Sequence, residues 1–401
     1  MTDVLSAAAP PTAPPAAPQT PDPAPERRVR LRAFTLDGAF ALLGSAGGAL
    51  ALAWLLYERI LPLSGALGFW LLWYLLFLSF YAAATALVWG RRAVADRVVA
   101  AVMVSAGLLI VFVILDQIGY TVFRGSPALR HSNFFTQTMA LTGPLDPLTS
   151  GGVLHAMVGS VEQMGIATAL AVPLGLLAAL FMAEIGGRMA RPVRSLIEAM
   201  TSLPEIIAGL FIYALVLLTF GQRPSGFAAA LALTVMMIPF VARSSEVMLR
   251  LVPNNLREAS YALGASQWRT TWTVVLPTAR SGLTTAVVLG MARAIGETAP
   301  VLLTAGSSPF MNANPFHGNQ ISLPLFIYEY VRHPQTADVQ RAFGAALVLI
   351  AVVLLLFTVA RVLGGKSPGE LTRRQRRRIA RDLRAAATHT PVPEGTAHAS
   401  A

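Results

Sequence analysis

Two groups of residues in this chain have types and spacing suited to chemistry. The first is Arg293 and Glu297, an ionisable pair four residues apart inside a long apolar run. On one helix they would stand about 40° apart. A charge at mid-bilayer costs about 3 kcal/mol or more, so the pair is expected to face a protein interior or a wet cavity. The guanidinium offers a two-pronged fork to a phosphate-like oxyanion. Glu297 can hold Arg293 in place or take a proton from a protonated oxyanion. The alternative is a self-satisfied pair that only fixes helix packing. The second group is the polar stretch 257–277. Glu258-Ala259-Ser260 is followed by three residues and Gly264, then nine residues, then Val274-Val275-Leu276-Pro277. A charged loop joined to a membrane helix is suited to passing force between cytosol and bilayer. Residues 258–265 read as a short helix, with Gly264 permitting a sharp turn. Trp268 and Trp272 share one helical face and suit the membrane interface. Pro277 is expected to break or kink the helix before the next span.

The elements that must position these residues are apolar. Of 401 residues, 55% are hydrophobic and 13% charged, and the mean hydropathy is +0.59. Soluble domains carry nearer 25% charged residues, so the chain reads as an all-α, polytopic helical membrane protein. Stretches long enough to span a bilayer fall at 38–57, 66–90, 98–118, 153–184, 204–220, 226–248, 281–306 and 342–363. With these eight spans alternating, most arginines lie on one side, which the positive-inside rule makes cytoplasmic together with both termini. Arg27, Arg91, Arg188, Arg257 and the run Arg373 to Arg384 are among them. Long connections at 119–152 and 307–341 then lie outside, shaping a vestibule or a docking face.

Residues 1–33 form a Pro- and Ala-rich stretch with no apolar core of a signal peptide, expected to be a disordered cytoplasmic tail. Residues 365–401 are basic and suit anionic lipid heads; they lack the aromatic interleaving of a nucleic-acid site. The net charge of +11 is therefore read as topology, with membrane lipids and no nucleic acid as partners. Gly364-Gly365-Lys366-Ser367 imitates a phosphate-binding loop, but position 360 is Ala and no strand precedes it. No nucleotide site is expected in this chain, and no metal site either: there is no Cys, and the 6 His are scattered. Glu162 inside the fourth span is expected to be structural or to pair with an Arg, and Asp116 to be interfacial. Gly44 and Gly48 give a small-residue pattern suited to close helix contact.

The 258–277 spacing resembles the EAA loop of ABC importer permeases, with Ser260 and Val274 as mild departures. Arg293-Ala294-Ile295-Gly296-Glu297-Thr298-Ala299-Pro300 followed by Leu303-Thr304-Ala305-Gly306 resembles the phosphate-specific permeases of the PstA type. Gly151-Gly152, Val158-Gly159-Ser160, Ser322-Leu323-Pro324-Leu325 and Ile327-Tyr328-Glu329 add to the likeness, which covers about residues 98 to 364. Where the family tends to read P-S-I-V, this chain has Pro204-Glu205-Ile206-Ile207, with Glu205 in place of the serine. The resemblance implies a type I importer core of six spans at 98–364, with an EAA loop at 257–280. Residues 34–97 then form two extra N-terminal spans. It implies an inner-membrane permease, not an enzyme, that pairs with a PstC-type permease. Its Glu258, Ala259, Ser260, Gly264, Leu276 and Pro277 would meet a PstB-type ATPase dimer, which uses the ATP and Mg; this chain would hold no cofactor. A PstS-type binding protein would deliver phosphate to a path lined by Arg293 and supported by Glu297, while Gly282, Gly290 and Gly296 allow close packing. A permease for phosphonate, sulfate or molybdate stays open as an alternative, as does a membrane scaffold or sensor that binds the ATPase without transporting.

Overall fold

The computed structural model describes residues 36–60 and 64–364. The tails at 1–33 and 365–401, with Lys366 and Ser367, lie outside the described residues. Every regular element among the described residues is helical. In order they are α1 (Leu36–Trp54), α2 (Ala66–Trp89), α3 (Arg92–Leu129), α4 (Asn133–Thr136), α5 (Leu154–Leu180), α6 (Ala190–Ser202) and α7 (Glu205–Ile212). There follow α8 (Gly226–Arg250), α9 (Asn254–Ala262), α10 (Gln267–Thr270), α11 (Leu276–Ala294), α12 (Ala299–Thr304), α13 (Leu323–Tyr330) and α14 (Thr336–Gly364). Wide π turns extend α1 to Ile60, α5 to Ile185 and α7 to Thr219, and another joins α10 to α11. Seven described helices are long and apolar enough to cross a membrane: Leu36–Ile60, Ala66–Trp89, Arg92–Leu129, Leu154–Ile185, Gly226–Arg250, Gln267–Ala294 and Thr336–Val359.

An eighth crossing exists only if α6 and the arm Glu205–Thr219 are taken together, and these meet at 102°. The expected span at 204–220 is thus one limb of a broken element. At 1.5 Å per residue that limb rises about 22 Å, short of a hydrocarbon layer of roughly 30 Å. Pro204 makes the corner: it restricts the residue before it and lacks the N–H an uninterrupted helix would use. The expected span at 281–306 is also broken. Its helix begins earlier, at Gln267, and stops at Ala294.

The chain divides into two compact units between Val113 and Ile114. In the first, α1 and α2 pack through Ala49, Phe77 and Tyr81. Trp73, Phe77 and Tyr81 stack in sequence along α2. Trp73 donates its indole N–H to the Ala46 carbonyl at 3.2 Å, and Tyr74 and Ser105 share a 2.6 Å hydrogen bond that brings in the start of α3. Of the two small residues expected at a helix contact, only Gly48 lies against a neighbour, Phe80; Gly44 meets open space.

The second unit is built on α5 against α8, with α11 and α14 beside them. Glycines set these approaches. A Cβ on Gly175 would lie 2.8 Å from Val241, one on Gly282 2.7 Å from the Met248 sulfur, and one on Gly290 2.9 Å from Val241. Gly296, expected to serve the same end, meets no neighbouring helix. Within the connection 307–341, expected to shape a vestibule or a docking face, residues 320–326 form a buried strap. A Cβ on Gly159 would stand 2.1 Å from the Ile321 carbonyl. Gln163 donates to the Gln320 carbonyl (2.8 Å), and the Leu323 N–H donates to Ser160 Oγ (2.7 Å). Glu162 accepts from Gln320 Nε2, so its partner is an amide rather than an arginine. Asp116 is exposed on α3.

Arg341 ties the two long connections together. It is 1% exposed, pairs with Asp338 at 2.8 Å and donates to the carbonyls of Asp146, Pro147 and Ser150. Removing one partner of such a buried pair leaves the other charge and several carbonyls unsatisfied, at a cost of about 3–5 kcal/mol. Arg341→Met is therefore expected to lower the thermal midpoint of the purified chain by several degrees. An unchanged midpoint in a fluorescence melt would show that these contacts do not hold the connections.

Candidate functional site

The site is built where four segments meet: the end of α11, the break that follows it, the start of α7 and the middle of α8. Arg293 occupies the last turn of α11, where a cation is favoured by the helix dipole. Glu205 opens α7, where an anion is favoured for the same reason. The two side chains meet directly, Arg293 Nη2 donating to Glu205 Oε1. The guanidinium also sits 4.5 Å from the centre of the Phe240 ring on α8, within cation–π range.

α11 ends at Ala294, Ile295 and Gly296 form a turn, and α12 starts at Ala299 with Pro300 in its first turn. An uninterrupted helix would set the Pro300 ring against the carbonyl of Gly296 and lose a hydrogen bond there; Gly296 adds its own weak helix preference. Glu297 nevertheless stays near Arg293, with 3.9 Å between Nη2 and Oε1. Its carboxyl also hydrogen-bonds that of Glu205, and the residue is among those lining a small cavity with Ser160, Gln163 and Ser322. Arg293 is 43% exposed and is not among the residues lining that cavity. α12 is held to α7 by close backbone approach: a Cβ on Gly209 would lie 2.6 Å from Pro300 Cα.

Glu205 was legible as an acidic residue at a helix start, but nothing local linked it to a residue 88 positions away. Glu246 was not singled out at all. It is 1% exposed and bridges Arg194 (2.7 Å), Arg243 (3.0 Å) and Arg250 (2.8 Å), which pins α6 to the end of α8. A carboxylate amid arginines at i−3 and i+4 was the available signal.

The polar stretch forms an elbow. Glu258, Ala259 and Ser260 lie on α9, the first two exposed. Ser260 shares a 2.8 Å hydrogen bond with Thr270 across the turn. Gly264 closes α9 with φ +81°. Leu263 is 89% exposed at the tip, and Trp268 and Trp272 stack edge to face on the outside. The elbow is anchored by Arg257. Its fork bonds Glu184 at the end of α5, 2.8 Å through Nη2, and its remaining N–H groups donate to the carbonyls of Leu249 and Val252. Gln267 donates to the Glu184 carbonyl from the far limb. Pro277 does not break the helix as expected. Leu276 and Pro277 continue from the π turn 271–275 without interruption, and the widened turn accommodates the ring and the missing donor.

The chain is similar to known proteins over more than half of its length. The pattern of the binding-protein-dependent transport system inner membrane component family matches residues 171–365. Phosphate transport system permease protein PstA 1 of Mycobacterium tuberculosis (strain ATCC 25618 / H37Rv) is 46% identical over 231 residues, 57% of this chain and 74% of its own length. PstA of Mycobacterium leprae is 39% identical over 264 residues, 66% of this chain and 86% of its own. PstA of Haemophilus influenzae is 41% identical over 239 residues, 59% and 82%.

Gly264 turns the elbow in a conformation that disfavours a side chain by about 1–2 kcal/mol, and an added Cβ there meets nothing within 4 Å. Gly264→Val is therefore expected to loosen 254–270 without disturbing α8 or α11. Hydrogen exchange should quicken in the elbow alone; equal protection in variant and parent would show that the turn does not need glycine.

Proposed function

The chain belongs to the family of PstA-type phosphate transport system permease proteins, and from that membership we propose that it forms one side of the path by which an ATP-driven importer moves phosphate inward. It is a membrane permease subunit rather than an enzyme. The observation that carries the reading is the Arg293 fork, on the surface of a membrane helix and beside a helix break. A guanidinium on such a helix needs a partner or a polar surface next to it. The face on which Arg293 opens is the one we assign to a second, PstC-type permease, so that the path runs between the two. Broken helices are where membrane transporters commonly present helix ends to ions. Arg293 at one such end suits an oxyanion, and Glu297 braces it.

The elbow supplies the other half of the reading. Glu258, Ala259 and Leu263 stand out on a short helix locked to α5 and α8 through Arg257. That arrangement suits a knob seated in a cleft of a PstB-type ATPase dimer. ATP and Mg are used there, and a PstS-type binding protein delivers phosphate on the opposite side. With the elbow in the cytosol, both termini are cytoplasmic and the chain sits in the cell membrane. Residues 34–97 add two helices ahead of the permease core at 98–364.

Arg293→Ala is expected to abolish uptake of labelled phosphate while the chain still co-purifies with its partner subunits. Uptake at the parent rate would remove Arg293 from the path, and competition by sulfate, molybdate or phosphonate in the parent identifies the oxyanion carried. Glu258→Lys reverses a charge on the elbow and is expected to reduce the ATPase recovered with the purified permease several-fold. Recovery equal to that of the parent would place the ATPase contact elsewhere.

A further inference from the structure

The ion pair between Arg293 and Glu205 differs in kind from the pair of Arg341 and Asp338. Arg341 and Asp338 are sealed, at 1% and 2% exposure, and the guanidinium is further held by three backbone carbonyls. Arg293 and Glu205 are 43% and 39% exposed. The first pair fastens the fold; the second lies open to an approaching solute. Nor is Glu205 needed to seat its own helix. α7 is held by Ala208, Gly209 and Ile212, which are buried, and by the Gly209–Pro300 approach. If Glu205 left, Arg293 would keep Glu297 at 3.9 Å and the Phe240 ring.

We propose that Glu205 is a built-in competitor for the oxyanion: its carboxylate occupies the Arg293 fork when the path is empty and must be displaced before phosphate can bind there. The inference rests on the assignment of Arg293 to the path. A carboxylate and a phosphate oxygen present the same acceptor geometry to a guanidinium, so one substitutes for the other. Like charges side by side on one guanidinium repel, which makes the exchange competitive rather than additive. A site whose competent form is only partly populated binds more weakly by that fraction. Glu205 therefore lowers the affinity of the fork, so that phosphate is not retained once it has arrived.

The test is phosphate binding by the assembled permease and ATPase complex in lipid nanodiscs, without binding protein, using radiolabelled inorganic phosphate. Glu205→Gln keeps the shape and removes the charge; it is expected to tighten phosphate binding about tenfold, and Glu205→Asp to stay near the parent. Glu205→Ser, which vacates the fork, should also tighten it. Adding Arg293→Ala to Glu205→Gln should abolish the gain. Binding by both neutral variants equal to or weaker than the parent, with the complex intact by size-exclusion chromatography, would overturn the competitor role. Tighter binding that persists without Arg293 would overturn it as well. Phosphate binding unaffected by Arg293→Ala alone would instead sink the assignment of Arg293 to the path.

Discussion

A guanidinium or carboxylate among apolar helices must find an opposite charge, and in this protein three such pairs are drawn from distant parts of the chain. Arg293 meets Glu205, Arg257 meets Glu184, Arg194 meets Glu246. Each bond joins elements that the sequence separates by dozens of residues: α11 to α7, α9 to α5, α6 to α8. Apolar packing alone would let such helices slide past one another, since lipid and side chain are equally greasy. The pairs with a buried carboxylate, at Glu184 and Glu246, fix which residue faces which, and so fix where α9 and α6 lie.

The breaks serve the same end. Two helices in this fold stop short, one at Pro204 and one before Pro300, and the acidic residues next to those prolines, Glu205 and Glu297, both approach Arg293. Glu297 follows the turn at Ile295 and Gly296, and its carboxyl meets that of Glu205 beside Arg293. Proline thus does more than interrupt: the two breaks bring both carboxyls to one guanidinium.

Much of this could be read from residue order. Apolar runs located every helix long enough to cross a bilayer, because hydrophobic length is a local property. The spacing from Glu258 to Pro277 located the elbow for the same reason. Straight spans at 204–220 and 281–306 were expected where the chain bends, because each proline was weighed against an unbroken apolar background that favours helix on both sides. A kink was expected at Pro277, where a π turn absorbs it. The buried strap at 320–326 was hidden by its polar approach: Asn319, Gln320 and Ser322 look like loop residues until Gln163 and Ser160 are seen to bond it. Glu205 and Glu184 carried no local mark of their partners, since pairing across 88 and 73 positions is a property of the packed helices.

Arg257 grips the carbonyls of Leu249 and Val252 at the end of α8, and Phe240 of that same helix rests against Arg293. From Leu249 to Phe240 is about 13 Å of unbroken hydrogen-bonded rod. A helix resists stretching far better than a loop does, so the elbow and the Arg293 fork sit at two stations on one stiff lever. Between the elbow's anchor and the aromatic ring the chain offers helix and no loop.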